Sequence, residues 1–506
     1  MRYIALGCAS LFLWVATAKA EWLEVSGDHF VIYSDQSEKV VTRFAERLER
    51  FHGAMAHLFV KSQNKPGPSN RVTVFVVSSS AKVRKVTGTQ NRFVSGIYIP
   101  RAGSSVAVIP RIGGASTYEL SGETILYHEY AHHFMIAGLT DRTYPRWFTE
   151  GFAEFFAGVR FKDDGSVLLG APATHRFAEL VYAPEVPILR FLDFDGGASE
   201  KKFTYDSFYG QSWLLFHYLQ MGSGRKGQLS EYQRLLATGR SALQAAEGAF
   251  GDFTQLEKDM DAYMRQRRIN VINIDGAGLT IAPITVRKLR PGEAAMMPIM
   301  IESKVGVSRE EALGLVPDAR KVAALHRDDP AVLSALAEAE FDAGNDDAAI
   351  AAADAALAID PKNINAHLQK GYALANKVES GVLPKESWKD VRGQFIKANA
   401  AENDHPVPLV RFYLSYLNQG ERPTENAIDG LEWAMQLAPF DASLRWLVAQ
   451  QMISDERYQD AIQVLGPLAY SPHPGEYTDV ARELLKKVEA ELDEGQRASP
   501  VSPAVE

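Results

Sequence analysis

The residues best suited to chemistry in this chain lie together, at His128-Glu129-Tyr130-Ala131-His132. They sit inside an apolar run, with Ile125-Leu126-Tyr127 before them and Phe134-Met135-Ile136-Ala137 after. On an α-helix, residues four apart share a face, so His128 and His132 can offer two imidazole nitrogens to one metal ion while Glu129 stands beside them. This is the H-E-x-x-H arrangement, in which two histidines hold zinc and the glutamate activates a bound water. Ser121 as N-cap, Glu123 in the first turn and Gly138 as a stop give the helix its ends.

Catalytic zinc usually takes three protein ligands and leaves one position open for water. A second stretch, Pro145-Arg146-Trp147-Phe148-Thr149-Glu150-Gly151-Phe152-Ala153-Glu154, can supply the third. Pro145 suits the start of a new helix. That helix can return antiparallel to the first and bring Glu150, eighteen residues after His132, to the same ion. Glu154 lies one turn further on the same face. It can accept the free N–H of a ligand histidine and fix its tautomer, as carboxylates behind metal ligands do.

The two stretches together, His128-Glu129-x-x-His132 and Trp147-x-x-Glu150-Gly151-Phe152-Ala153, resemble the gluzincin metallopeptidases, in particular their aminopeptidase-N-like branch. The resemblance implies one zinc ion, a peptide or protein substrate, and Glu150 as the third ligand. A third segment, Tyr209-Gly210-Gln211-Ser212-Trp213-Leu214-Leu215, resembles the family's Y-x-x-G-x-x-L-L helix, with Ser212 where the family has glycine. It implies Tyr209 as the donor to the transition-state oxyanion, with Tyr205 as the second candidate. The resemblance spans roughly residues 120 to 220. The family's G-x-M-E-N segment, which binds a free amino terminus, is not visible, so endopeptidase and aminopeptidase readings both stay open. The arrangement is closer still to bacterial exported peptidase-like domains joined to helical repeats.

Around these residues the chain has 506 positions, 46% hydrophobic and 23% charged, enough for two or three domains with their own cores. A net charge of −9 does not suggest a nucleic-acid-binding surface. Residues 1–20 read as a secretory signal peptide: Arg2, an apolar core from Ile4 to Ala18, then Ala18-Lys19-Ala20 as a small-x-small cleavage site. That core is shorter than the roughly twenty residues a membrane-spanning helix needs. The single cysteine, Cys8, falls in this leader, so the mature protein would hold no disulfide and any metal would use His, Glu or Asp. The expected location is periplasmic or extracellular, with no transmembrane segment after cleavage.

The expected fold is α+β. Residues 21–268 form a thermolysin-like zinc domain of mixed sheet plus helices. Within it Trp22–Tyr33 alternates as a strand, Ser37–Phe59 has helical spacing, and Val72–Val77 reads as a buried strand. Gly96–Ile99 and Ser105–Ile109 are further strands, and Val106–Ile109 is the candidate edge for pairing with an extended peptide. Val159–Leu169 reads as a hairpin turning at Asp163-Asp164-Gly165. Residues 269–305 read as a β connector, with Ala282–Val286 and Met296–Ile301 as short strands. Residues 306–495 are alanine-rich with tetratricopeptide-like spacing, phased on Pro330, Asp360-Pro361, Pro408 and Pro439, and would stack as a helical solenoid able to bind a protein or peptide. Residues 496–506 read as a disordered Ser/Pro/Ala tail.

Two functions compete. The first is an exported zinc metallopeptidase with Glu129 as general base. The second is a catalytically weak or inactive zinc-domain scaffold acting through its repeats in an envelope assembly. The intact Glu129 favours the first, because a scaffold needs no general base. Zinc hydrolysis of a non-peptide amide or ester is a third, which these residues do not separate from the first.

Overall fold

Gly27-Asp28-His29 interrupts the first apolar stretch, and there the chain turns back on itself. What reads as one strand is therefore an antiparallel pair, β1 (Leu23–Ser26) and β2 (Phe30–Ser34), with Val25 opposite Ile32. The computed structural model describes residues 21–59, 65–91, 94–113, 121–138, 143–193, 205–471 and 475–498. The expected leader, 1–20, lies outside them, as does the tail from 499 onward.

Helix α1 (Glu38–Phe59) follows and buries Val41, Phe44, Leu48, Phe51 and Met55 against one sheet face. Strand β3 (Val72–Val77) buries alternate residues on both sides, Val72, Val74 and Val76 towards α1, and Phe75 and Val77 towards the opposite face. Helix α2 (Ser80–Val86) and strands β4 (Ile97–Ile99) and β5 (Val106–Pro110) come next. β5 runs parallel to β3 on one side and pairs antiparallel with β4 on the other. The Val106–Ile109 strand is thus internal, and β4 is the edge.

Helices α3 (Gly122–Gly138) and α4 (Arg146–Ala157) carry the two chemical stretches. Strands β6 (Arg160–Phe161) and β7 (Val167–Leu169) form the expected hairpin; Gly165 takes φ 83°, and Asp164 accepts from the Ser166 N–H at 2.9 Å. Helices α5 (Phe177–Tyr182), α6 (Ile188–Leu192), α7 (Phe208–Met221), α8 (Gln228–Ala237), α9 (Ala242–Phe250) and α10 (Phe253–Met264) complete this half of the chain.

Residues 269–305 are no free connector. β8 (Ile272–Ile274) pairs with β7, and β9 (Thr285–Lys288) pairs with β1, giving a six-stranded mixed sheet in the order β4-β5-β3-β2-β1-β9. Met296–Ile301 is not a strand. It lies in α11 (Pro291–Val305), where Met297 and Ile301 cover the sheet face opposite α1 and Met296 and Ile299 face the next helices. A short continuous apolar run has no periodicity to separate strand from buried helix, and here helix won despite Pro298.

The repeat array therefore begins at Pro291. Its helix hairpins are α11 with α12 (Arg309–Leu325), α13 (Pro330–Asp342) with α14 (Asp346–Ile359), α15 (Ile364–Glu379) with α16 (Trp388–Ala401), α17 (Pro406–Gln419) with α18 (Glu425–Leu437), and α19 (Ala442–Ser454) with α20 (Tyr458–Ala469). Helix α21 (Thr478–Ala498) closes the array and continues into the expected tail. Buried alanines, among them Ala349, Ala353 and Ala356, let neighbouring helices approach closely.

The array does not hang free of the sheet. Glu402 accepts from the N–H and hydroxyl of Ser69 at 2.9 and 2.7 Å, and Asp441 accepts from the Ala102 N–H at 2.7 Å. The Phe440 ring packs 4.0 Å from the ring of His133 on α3. The protein is mostly helical, with twenty-one α-helices among the described residues, none long and apolar enough to cross a membrane.

Candidate metal centre

Helix α3 is buried along most of its length, and His128 and His132 are 6% and 4% exposed. Their spacing puts both imidazoles on the side facing α4, where Glu150 is fully buried. Three atoms converge. His128 Nε2 lies 3.2 Å from His132 Nε2, and Glu150 Oε2 lies 3.3 and 3.4 Å from these two nitrogens. All three carry lone pairs, so their convergence calls for positive charge among them. Tetrahedral zinc with ligands at about 2.0–2.1 Å spaces neighbouring ligand atoms by about 3.3–3.4 Å, so the residues present fit such an ion. Among the described residues this is the group of His, Asp and Glu side chains so arranged.

Glu154 stands behind His128. Its Oε1 is 3.2 Å from His128 Nδ1, the nitrogen turned away from the triangle. Burial alone would raise the Glu154 carboxyl, but Arg176 first and then His128 and His175 hold it well below the usual carboxylate range. Arg176 donates twice to Oε1, at 2.8 and 2.6 Å, and His175 Nε2 lies 2.7 Å from Oε2. For His128 burial opposes protonation, yet Glu154 and Glu150 outweigh it and carry its pKa up to about 10.

Sequence reasoning missed His175 and Arg176. They lie just past the β6–β7 hairpin in a single 3-10 turn, Thr174–Arg176, too short to show any periodicity. The only signal was a His-Arg pair between two helices of the same domain.

Glu129 is half-buried next to the two histidines and close enough to the edge strand for its charge to act on Tyr98. Tyr209 lies at the start of α7, with its ring 6.4 Å from that of His128. Its hydroxyl accepts from Arg146 at 3.3 Å, and the Arg176 guanidinium lies 4.6 Å over its ring. Glu150, then burial, push the Tyr209 phenol above its usual value. Tyr205 is 59% exposed. Ser212 uses its hydroxyl on the Phe208 carbonyl at 2.7 Å, inside its own helix. His217 packs between Tyr263 and the Gly170 carbonyl, 2.8 Å from each, away from the ligands. His133 faces away from the triangle, its Nδ1 2.8 Å from the Tyr98 hydroxyl on β4.

One glycine makes the arrangement possible. A Cβ on Gly151 would lie 2.5 Å from the Ser212 carbonyl oxygen, so α4 and α7 can meet this closely only without one. That contact sets Tyr209 beside Glu150.

No family model matches the chain, and no curated protein matches it. Among solved structures the chain is similar to a thermophilic TPR protein of Thermus thermophilus, at 14% identity over 39% of this chain and 97% of that one, with a TM-score of 0.32. It is similar to MamA of Desulfovibrio magneticus, at 16% identity over 40% of this chain and 98% of that one, TM-score 0.27. It is also similar to yeast Tom70, at 14% identity over 72% of this chain and 70% of that one, TM-score 0.27. Likenesses this low carry no argument by themselves, and the repeat organisation rests on the helix hairpins of this chain.

Proposed function

We propose that this chain is a zinc-dependent metallopeptidase, exported by way of its leader-like first twenty residues, that hydrolyses peptide bonds in a peptide or protein. The observation that carries the reading is the triangle of His128, His132 and Glu150, whose edges of 3.2, 3.3 and 3.4 Å suit a tetrahedral ion. Zinc bound there would supply a polarising charge and a water acidified towards about pH 7.

The chain's own groups do the rest. Glu129 accepts the proton of the attacking water and delivers it to the leaving amine. Tyr209, with Arg146 donating to its oxygen, keeps its own O–H free to donate to the carbonyl oxygen as that atom becomes anionic. Glu154 holds the His128 ring through Nδ1 and leaves Nε2 facing the triangle. The edge strand β4 runs beside α3, tied to it through Tyr98 and His133, and can take an extended peptide by main-chain pairing.

The scaffold reading draws on one observation, the size of the array. Eleven helices, α11 to α21, would have to serve the zinc domain alone if they had no partner. The side formed by α11, α13 and α15 faces the sheet, so a protein partner would use another face.

Metal analysis of the purified mature protein tests the proposal. Wild type should carry one zinc per chain, and His128→Ala, His132→Ala and Glu150→Ala should each lose most of it. A Glu150→Ala protein with full zinc occupancy and unchanged affinity would refute the ligand set.

A further inference from the structure

A cavity of about 610 Å³ lies between the outer face of the sheet and helices α11, α13 and α15, in the size range of small-molecule sites. Its lining shares no residue with the α3–α4 triangle. Four cationic side chains that line it divide into two kinds. Arg287 is spent on Glu24 and Glu293, at 2.6 and 2.7 Å, and Lys304 on Glu338, at 2.6 Å. Arg101 and Arg71 form no ion pair with a described carboxylate. Arg101 gives its Nε–H to the Ser104 carbonyl at 3.1 Å, and Arg71 donates to the carbonyls of Pro68 and Gly27, both at 3.1 Å.

Arg101 is the informative one. Burial pushes its guanidinium below the usual value, with only the more distant Glu338 and Asp441 opposing. A guanidinium held largely out of water without a carboxylate is costly, and its planar fork takes a carboxylate, or a phosphate, through two parallel N–H bonds. The turn that presents it is strained. Gly103 takes φ 72°, and Ser104, a non-glycine, takes φ 106°. The turn is held there by Ser104 Oγ against Thr73 Oγ1 at 2.7 Å and by the Ala102 N–H on Asp441. Strain of this kind persists where surrounding contacts over-determine it, and it clusters at ligand sites.

The opposite wall carries a second unmet group. Gln369 on α15 is 6% exposed; its amide nitrogen donates to Asn365 at 3.2 Å, while its Oε1 has no partner. A buried acceptor of this sort calls for a donor.

We propose that this cavity binds a small organic carboxylate that also carries an N–H or O–H donor, the chemistry of a short peptide's free C-terminal end. The carboxylate sits on Arg101, and the donor meets Gln369 Oε1. The ligand then bridges the sheet and the array.

The test is calorimetric titration of full-length mature Glu129→Gln protein, which would not consume a peptide, with tetra-alanine, tetra-alanine amide, sodium acetate and inorganic phosphate. Hydrogen exchange locates each bound probe. Tetra-alanine should protect residues 101–104 and 365–372, and its amide should bind at least about 10-fold more weakly. Arg101→Gln should weaken tetra-alanine about 10- to 100-fold, the range for a hydrogen bond to a charged group. Gln369→Leu alters no charge, serves if the arginine variant fails to fold, and should weaken it about 5-fold. The proposal is overturned by equal binding of acid and amide, by acetate or phosphate matching tetra-alanine, by unchanged affinity in the variants, or by protection confined to residues 122–157.

Discussion

Glu154 divides its two oxygens between opposite tasks. One faces His128 and Arg176 together, the other faces His175. Removing the carboxylate leaves the His128 ring free to rotate and leaves Arg176 paired with Glu179 alone, at 2.8 Å, so Glu154→Ala should weaken zinc about 10- to 100-fold. Competition with a chelator measures this, and unchanged affinity would remove Glu154 from the account. The two tyrosines separate in the same way. Tyr209→Phe should lower kcat roughly 10²-fold with little change in KM, since the hydroxyl acts on charge that exists only in the transition state. Tyr205→Phe, on a largely exposed side chain, should do little. The reverse order would mean that the wrong tyrosine has been chosen. Helical spacing placed His128 with His132 and Glu150 with Glu154, each pair on one face, while the meeting of the two pairs was expected from an antiparallel return of the second helix and from the family resemblance. His175 and Arg176 were not legible, because a single 3-10 turn is too short to impose a pattern, and only the folded chain shows them meeting Glu154.

At the scale of elements, two packing details decide whether the site assembles. The α4–α7 contact has no room for a methyl group at residue 151. Gly151→Ala must push the helices apart, at a cost of about 1–3 kcal/mol, and should move Tyr209 away from Glu150. Resistance to denaturant and turnover should both fall, and a fully active, equally stable variant would contradict the packing argument. The end of α13 shows a different effect. Burial first, and Glu338 second, push the Asp342 carboxyl up to about 6. Unfolded, it would titrate near 3.9, so between about pH 4 and 6 the native state binds more protons and stability falls as pH rises. Asp342→Asn should therefore gain stability over wild type at pH 8, with the gain fading below pH 4. A gain equal at both pH values would assign the effect to something other than this ionisation. Most elements were legible from periodicity. The failures have different causes. Gly27-Asp28-His29 breaks the alternation and marks a turn that the reading of Trp22–Tyr33 as one strand passed over, whereas Met296–Ile301 is apolar throughout, so its pattern does not separate strand from buried helix.

At the scale of the molecule, sheet and array form a shared structure. Phe440, from the loop between α18 and α19, packs on the residue next to a proposed zinc ligand, and Ile136 of α3 packs into the array's own apolar cluster. Phe440→Ala should cost about 3 kcal/mol and lower the thermal midpoint of the sheet and array together. Calorimetry that already resolves separate transitions for the two parts in wild type would contradict this coupling. No spacing rule could have revealed it. Repeat phasing places helices relative to their neighbours, and the docking of the array onto the sheet depends on contacts more than three hundred residues apart, such as Ala102 with Asp441. The β connector was misjudged for the same reason, since β8 and β9 find their partners in strands far away in sequence.

The central claim concerns Glu129, which is no zinc ligand in the triangle and whose proposed work is entirely chemical. Glu129→Gln keeps the shape of the side chain and removes its ability to accept the water's proton. Zinc content and unfolding midpoint should match wild type, while hydrolysis of a denatured protein substrate, assayed side by side, should fall by at least about 10²-fold. Wild-type hydrolysis that persists undiminished in the Glu129→Gln protein would contradict the account.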